Sequence, residues 1–385
     1  MNIDKIRQDF PVLQKHVYLD SACMALKPKQ VVDAMNRYYL EFPACGERSS
    51  HRLGKQVTEE YEAARSKVAK FIGAKSEEII FTKNTTEGLN IAANSLGLGK
   101  DDKVITSDKE HNSNFLPWTR FRHIIIPTDN GRFDFSAFEH DLSKSVKVVS
   151  LLQTSNIDGM NFPINEIAKA THDNGSLLVV DAAQSVPHKE IDVKKLDCDV
   201  LSFSGHKMLG PSIGCLFVKK DIAEKLQPFI VGGGTVQNVT DGKPTYLGYP
   251  HSFEAGLQNY AGAIGLRAAI EYLESVGLRN IEKHEAALNS RITKGLADVK
   301  NVSILGSSEE RGGIISFNIK GIDSKEAALM LDSYNVLVRG GFHCCHNWFN
   351  VSGINGSVRA SLYLYNNEQD ADKLVDAVKK VAAMA

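Results

Sequence analysis

The chain has 385 residues, 43% of them apolar and 24% charged, with a formal net charge of -1. That balance leaves no electrostatic footprint for nucleic acid or an anionic membrane surface, and no run of ~18 apolar residues offers a membrane span. The length exceeds what one ordinary core absorbs, so two domains are expected.

The opening MNIDKIRQDF is polar and lacks the apolar segment of a signal peptide. Six cysteines (Cys23, Cys45, Cys198, Cys215, Cys344 and Cys345) are too sparse for a disulfide framework, and a reduced, cytoplasmic setting is expected. Along the chain, Val57, Tyr61, Ala64, Val68 and Phe71 recur at helical spacing, and Gly73 supplies a stop. Short runs rich in β-branched residues then read as buried strands: 78–81, 104–106, 124–126, 146–152, 177–181, 200–203 and 213–218. Pro163 opens a helix between two of them, and Gly175 ends it. The alternation predicts an α/β fold with a mostly parallel sheet covered by helices on both faces.

After about residue 255 the texture changes. Helical stretches run from Tyr260 to Leu273 and from Leu278 onward. Strand-like runs at 314–319, 336–339 and 357–362 alternate with helices at 324–333 and 369–384. This predicts a smaller α+β C-terminal domain. The expected division is 16–275 for the large domain and 276–385, joined by 1–15, for the small one.

Nucleotide and hydrolase signatures are missing: no G-x-x-x-x-G-K-[ST], no G-x-G-x-x-G after a strand, no G-x-S-x-G and no H-E-x-x-H. His343-Cys344-Cys345-His346 does not make a metal site, because four adjacent side chains do not readily converge on one tetrahedral ion. Three strand-end segments carry more. Asp181-Ala182-Ala183-Gln184 follows one apolar run, and Ser204-Gly205-His206-Lys207 follows another. Asn84-Thr85-Thr86-Glu87-Gly88 stands between a strand and a helix, where free N–H groups form an anion site. Singly, each has an ordinary reading: a cap, a turn or a solvated lysine. Jointly they supply what a pyridoxal 5'-phosphate (PLP) enzyme needs. Lys207 is the amine for the Schiff base and the proton carrier at the substrate Cα, and Asp181 pairs with the pyridine nitrogen. Thr86, Ser204 and His206 take the phosphate, Gln184 the ring hydroxyl, and His111 stacks on the ring.

These motifs, with Glu110-His111, Tyr18-Leu19-Asp20-Ser21-Ala22, Phe253-Glu254-Ala255-Gly256 and Val338-Arg339-x-Gly341-x-His343-Cys344, resemble the class V aminotransferases of the fold-type I PLP enzymes. The likeness is closest to NifS- and SufS-like cysteine desulfurases and selenocysteine lyases. It implies an aspartate aminotransferase-like fold with Lys207 carrying the cofactor. Thr85, Thr86, His111, Asn156, Asp181, Gln184, Ser204 and His206 become its contacts. Asn156 and Arg359 meet the substrate, Arg359 gripping its carboxylate, and Arg48 stands near the substrate entrance. Cys344 becomes the thiol that takes sulfur from L-cysteine, or selenium from L-selenocysteine, leaving alanine. His343, His346 and Arg339 are expected to favour its thiolate. Lys207, Cys344 and His111 form the catalytic set. A homodimer and a sulfur-acceptor protein serving iron–sulfur assembly or thiolation are implied as partners.

The chain departs from that pattern at Leu257, where the family has a threonine that reaches the partner subunit's phosphate, and at Phe342, Cys345 and His346-Asn347-Trp348 around Cys344. Cys345 either fills space or relays sulfur. The alternatives are another class V reaction (C–S lyase, epimerase, aminotransferase), in which Cys344 is dispensable, and a non-catalytic scaffold, against which Lys207 and Asp181 argue.

Overall fold

A computed structural model describes residues 1–307 and 311–385. Seven strands form the large sheet: β1 (Ile79–Thr82), β2 (Lys103–Ser107), β3 (Arg122–Ile126), β4 (Val146–Leu152), β5 (Leu177–Asp181), β6 (Val200–Ser204) and β7 (Gly214–Val218). They lie in the order β1-β7-β6-β5-β4-β2-β3. β7 runs antiparallel to both neighbours, and every other pairing is parallel. Alternation explains why both faces are covered. Leu178 and Val180 of β5 join one apolar cluster, and Val179 between them joins another.

Around this sheet pack α1 (Lys29–Glu41), α2 (Arg52–Phe71), α3 (Thr85–Ser95), α4 (Ile164–Asn174) and α5 (Tyr260–Val276). Residues of α2, α4 and α5 share the first cluster, and Leu89, Ile91 and Ala92 of α3 fill the second. Pro163 caps α4 and Gly175 closes it in the left-handed region at φ 82°. Gly88 permits the close approach of α3, since a Cβ there would lie 2.4 Å from Ser202 Oγ.

A second sheet, β8 (Val302–Ile304), β9 (Ile314–Ile319), β10 (Arg339–Gly341) and β11 (Ser357–Ser361), is antiparallel in the order β8-β9-β11-β10. With α6 (Leu278–Ala297), α7 (Ser324–Ser333) and α8 (Glu368–Ala382) it encloses its own core of Leu288, Ile292, Phe317, Leu331, Val358 and Val378.

One expectation changes, and the N-terminal segment bridges both units. The predicted strand 336–339 is two: Val336–Leu337 pairs with Val17–Tyr18, whereas β10 pairs with β11. Residues 1–15, grouped with the small domain in the expected division, meet both units: Ile6, Phe10 and Leu13 lodge in the larger cluster, while Arg7 pairs with Asp370 of α8 at 2.7 Å. The linear pattern held no signal for either, because both depend on partners about 320 to 360 positions away.

Candidate active site

The carboxyl ends of β5 and β6 and the start of α3 converge on a polar cavity of ≈240 Å³. A parallel sheet delivers its strand ends to one edge, where helix N-termini also gather, so the site's place follows from topology. Thr85, Thr86, His111, Asn156, Asp181, Gln184, Ser204, His206, Lys207, Cys344 and Arg359 all line it.

Its anion end is built on α3. Asn84 caps the helix, its side chain accepting from the Glu87 N–H at 3.1 Å. Ser204 Oγ accepts from the Thr85 N–H at 2.8 Å and contacts Thr85 Oγ1 at 2.6 Å. Thr86 Oγ1 lies 2.7 Å from Ser113 Oγ. Two hydroxyl pairs at a helix N-terminus suit a phosphate. Across the cavity, Asp181 accepts from the Ala183 N–H at 3.0 Å. Burial pushes its carboxyl pKa up, with Lys207 opposing. Burial draws the Lys207 amine below the ordinary lysine range; Asp181 opposes this and Arg359 adds to it. Burial, then Lys207, takes His111 down to about 3, so its ring is neutral near pH 7. Gln184 donates Nε2 to Ala22 O at 2.8 Å and leaves Oε1 buried without a partner among the described residues. That orphan acceptor, the hydroxyl cradle and the Asp181 carboxylate fit PLP, whose ring hydroxyl, phosphate and pyridine nitrogen would meet them respectively, with the Lys207 amine left for the aldehyde.

The substrate end comes from the small domain. Arg359, on β11 and only 3% exposed, donates Nη1 to Asn156 O at 3.0 Å and pairs with Asp20 Oδ1 at 3.4 Å. Its Nε has no partner among the described residues. Asp20 also holds Arg339 at 2.9 Å, so one carboxylate anchors two guanidinium groups. Asp20 appeared in the sequence only inside a family motif; no local pattern announced this task.

The Cys344 loop is tightly held. His343 and Cys344 both have left-handed backbones, at φ 48° and 60°. Cys344 O accepts from the Asn112 N–H at 2.7 Å, His343 O from Asn156 Nδ2 at 2.9 Å, and Asp108 O from Asn347 Nδ2 at 3.1 Å. Cys344 itself is exposed. The Asn156 amide, expected at the ring and substrate, is spent on this loop, although the residue does line the cavity.

Two of the expected positions stand on the surface, and one expectation, for His343, changes. Arg48 is outside the cavity: it is exposed and donates to Gly256 O at 2.9 Å. Leu257 stands 69% exposed on the surface. His343 supplies no positive charge to Cys344 near neutral pH, because burial, then Arg359, pushes it down to about 2. The neutral ring has a stability consequence. Its folded pKa lies below the unfolded value of ~6.5, so the unfolded chain takes the proton first. The stabilisation is complete above pH ~6.5 and drains away as pH falls toward 2, at about 1.4 kcal/mol per pH unit. Urea unfolding of His343→Gln is therefore expected to show a shallower loss between pH 6.5 and 5 than the parent. Equal slopes would sink this assignment.

The family model described as Aminotransferase class-V matches residues 17–374. A probable cysteine desulfurase of Streptomyces coelicolor is 39% identical, the match covering 99% of this chain and 97% of the relative. A cysteine desulfurase of Haloferax volcanii is 36% identical over 98% and 96%. Among solved structures, the apo cysteine desulfurase of Thermococcus onnurineus NA1 superposes with a TM-score of 0.96 at 38% identity, covering 99% and 98% of the two chains. An S-sulfonic acid form of an Escherichia coli cysteine desulfurase gives 0.92 at 31%, covering 100% and 99%.

Proposed function

The chain belongs to the aminotransferase class-V family, and from that premise we infer a PLP-dependent cysteine desulfurase, and propose that Cys344 receives the sulfur. The observation that carries the reading is one exposed thiol on a pinned loop, lining the same cavity as Lys207, Asp181 and Arg359.

When bound, PLP supplies an electron sink for the substrate Cα. Each residue then has a task. Asp181 would hold a proton at the ring nitrogen. Thr85, Thr86, Ser204 and His206 would bind the phosphate, and burial takes His206 down to about 4, so it would serve as a neutral partner near pH 7. His111, uncharged near pH 7, would lie against the ring. Arg359, kept in place by Asp20 and Asn156, takes the carboxylate of L-cysteine, leaving its unpartnered Nε for that anion. Lys207, with its amine pKa lowered, moves the proton at Cα. Cys344, as thiolate, attacks the substrate sulfur. A persulfide remains on the enzyme and the three-carbon fragment leaves as alanine.

A sulfur-acceptor protein is the expected recipient, with iron–sulfur assembly or thiolation as destination, and selenocysteine is a second substrate on the same chemistry. A homodimer is supported by the exposed apolar residues Phe229, Ile230, Val231 and Leu257, of which Ile230 and Leu257 line one cleft. Arg48 and Leu257 would then act on that face rather than within one chain. A reduced, cytoplasmic setting suits six free cysteines.

The test is turnover of L-cysteine by PLP-loaded protein with a reductant. Cys344→Ser is expected to lose alanine formation by about 10²-fold or more, since it removes the nucleophile outright. Persistence of wild-type rates in that variant would move the assignment to a C–S lyase or an aminotransferase.

A further inference from the structure

Three thiols lie near the active site, and the structure separates their roles. Cys345, the relay candidate from sequence, is fully buried against Ile157 and Phe349 and donates Sγ to Asn156 Oδ1 at 3.2 Å. Burial pushes its thiol up to about 12. It is outside the cavity lining and serves as packing. Cys23 is different. It is half-buried, lines the same ≈240 Å³ cavity as Cys344, and its Sγ makes no hydrogen bond among the described residues.

The backbone around Cys23 ties it to the cofactor end. Ala22 O accepts from Gln184 Nε2 at 2.8 Å, and the Ala25 N–H donates to His206 O at 2.9 Å. The Cys23 N–H donates to Asp20 O at 3.1 Å, and that same Asp20 holds Arg339 and Arg359. The thiol therefore sits on a turn fixed from both sides, in a cavity that Lys207, Arg339 and Arg359 also line. Arg339 lines the cavity together with both Cys23 and Cys344.

We propose that Cys23 is a second sulfur-carrying site, which takes the sulfane sulfur from Cys344 inside the active-site cavity. This rests on the reading of Cys344 as the persulfide-bearing residue. In the step, the Cys23 thiolate attacks the outer sulfur of the Cys344 persulfide. A bond forms between Cys23 Sγ and that sulfur, the bond from it to Cys344 Sγ breaks, and Cys344 departs as thiolate. The proton stays on the transferred sulfur, and no oxidant or reductant is consumed. The persulfide itself lengthens the reach of Cys344 by about 2 Å, one S–S bond. Afterwards Cys344 is free for a second substrate while the first sulfur is stored.

The experiment uses PLP-loaded enzyme, L-cysteine and no reductant or acceptor, with alkylation at timed intervals, peptide mass spectrometry and alanine counting. In the wild type, an extra sulfur is expected first on the Cys344 peptide and then on the Cys23 peptide. The alanine burst is expected to be about twice that of Cys23→Ala, since two thiols rather than one are charged per chain. In Cys344→Ser, Cys23 is expected to stay unmodified. A wild type that charges Cys344 while Cys23 never gains sulfur overturns the proposal. Sulfur on Cys23 in Cys344→Ser overturns the order of transfer. Absence of sulfur from both peptides with no alanine formed overturns the Cys344 reading beneath it, a separately recognisable outcome.

Discussion

Lys207→Ala is expected to slow alanine formation from L-cysteine by about 10²–10⁴-fold, the usual contribution of a positioned acid–base group. The reason is geometric. The amine stands in a tight turn directly after β6 and lines the same cavity as Asp181 at the end of β5, where burial is unfavourable for its charge. A lysine drawn below its ordinary range exchanges protons more readily near neutral pH, which a solvated lysine does not. Removing it takes away both the anchoring amine and the proton carrier, while the phosphate cradle of Thr85, Thr86 and Ser204 remains. The variant is therefore expected to bind PLP non-covalently, with an altered absorption spectrum, and to regain part of its rate with a small added amine such as methylamine. Full activity in Lys207→Ala would remove the basis of the assignment. A spectrum unchanged from the wild type would do so without reference to rate.

The second large effect is on stability. Glu254 is 6% exposed and Arg65 is 1% exposed. The Arg65 guanidinium meets both oxygens of Glu254, at 2.6 and 2.9 Å, and Nη1 also donates to Ile79 O at 2.8 Å. Tyr61 OH and the Phe81 N–H complete the shell of that carboxylate at 2.8 and 2.7 Å. Glu254→Ala removes the buried partner of the guanidinium, leaving it only the part-exposed Glu62 at 3.0 Å, and leaves an N–H of β1 unpaired. The expected loss is about 3–5 kcal/mol in urea unfolding. The double variant Arg65→Met, Glu254→Leu is expected to recover much of it, because two apolar groups carry no stranded charge. A single variant within about 1 kcal/mol of the parent would show the pair to be solvated and unimportant. The network lies directly beneath β1, whose end leads into Asn84 and α3. The same loss is therefore expected to weaken PLP retention through the phosphate end.

These two cases differ in how readable they were. Lys207 and Asp181 could be placed from sequence because short β-branched runs mark buried strands, and a parallel sheet sends the residue after each run to the ligand edge. Glu254 was visible only as part of a family motif, since nothing within several residues of it states that its partner is Arg65, 189 positions away.

By itself, the sequence determined the alternating architecture, the strand-end constellation at 84–88, 181–184 and 204–207, and the polar character of the cofactor pocket. These rest on local periodicity and on topology that periodicity implies. Only the tertiary structure decided that β7 runs antiparallel, that Asp20 anchors Arg339 and Arg359, that Arg48 stays outside the cavity within one chain, and that His343 is neutral. It also decided which of two adjacent cysteines faces the cavity. Two consecutive left-handed residues turn Cys344 outward and bury Cys345, a choice made by backbone torsion and by the contacts pinning the loop from Asn112, Asn156 and Asp108. Such choices depend on groups hundreds of positions apart meeting in space, and no local spacing encodes that meeting.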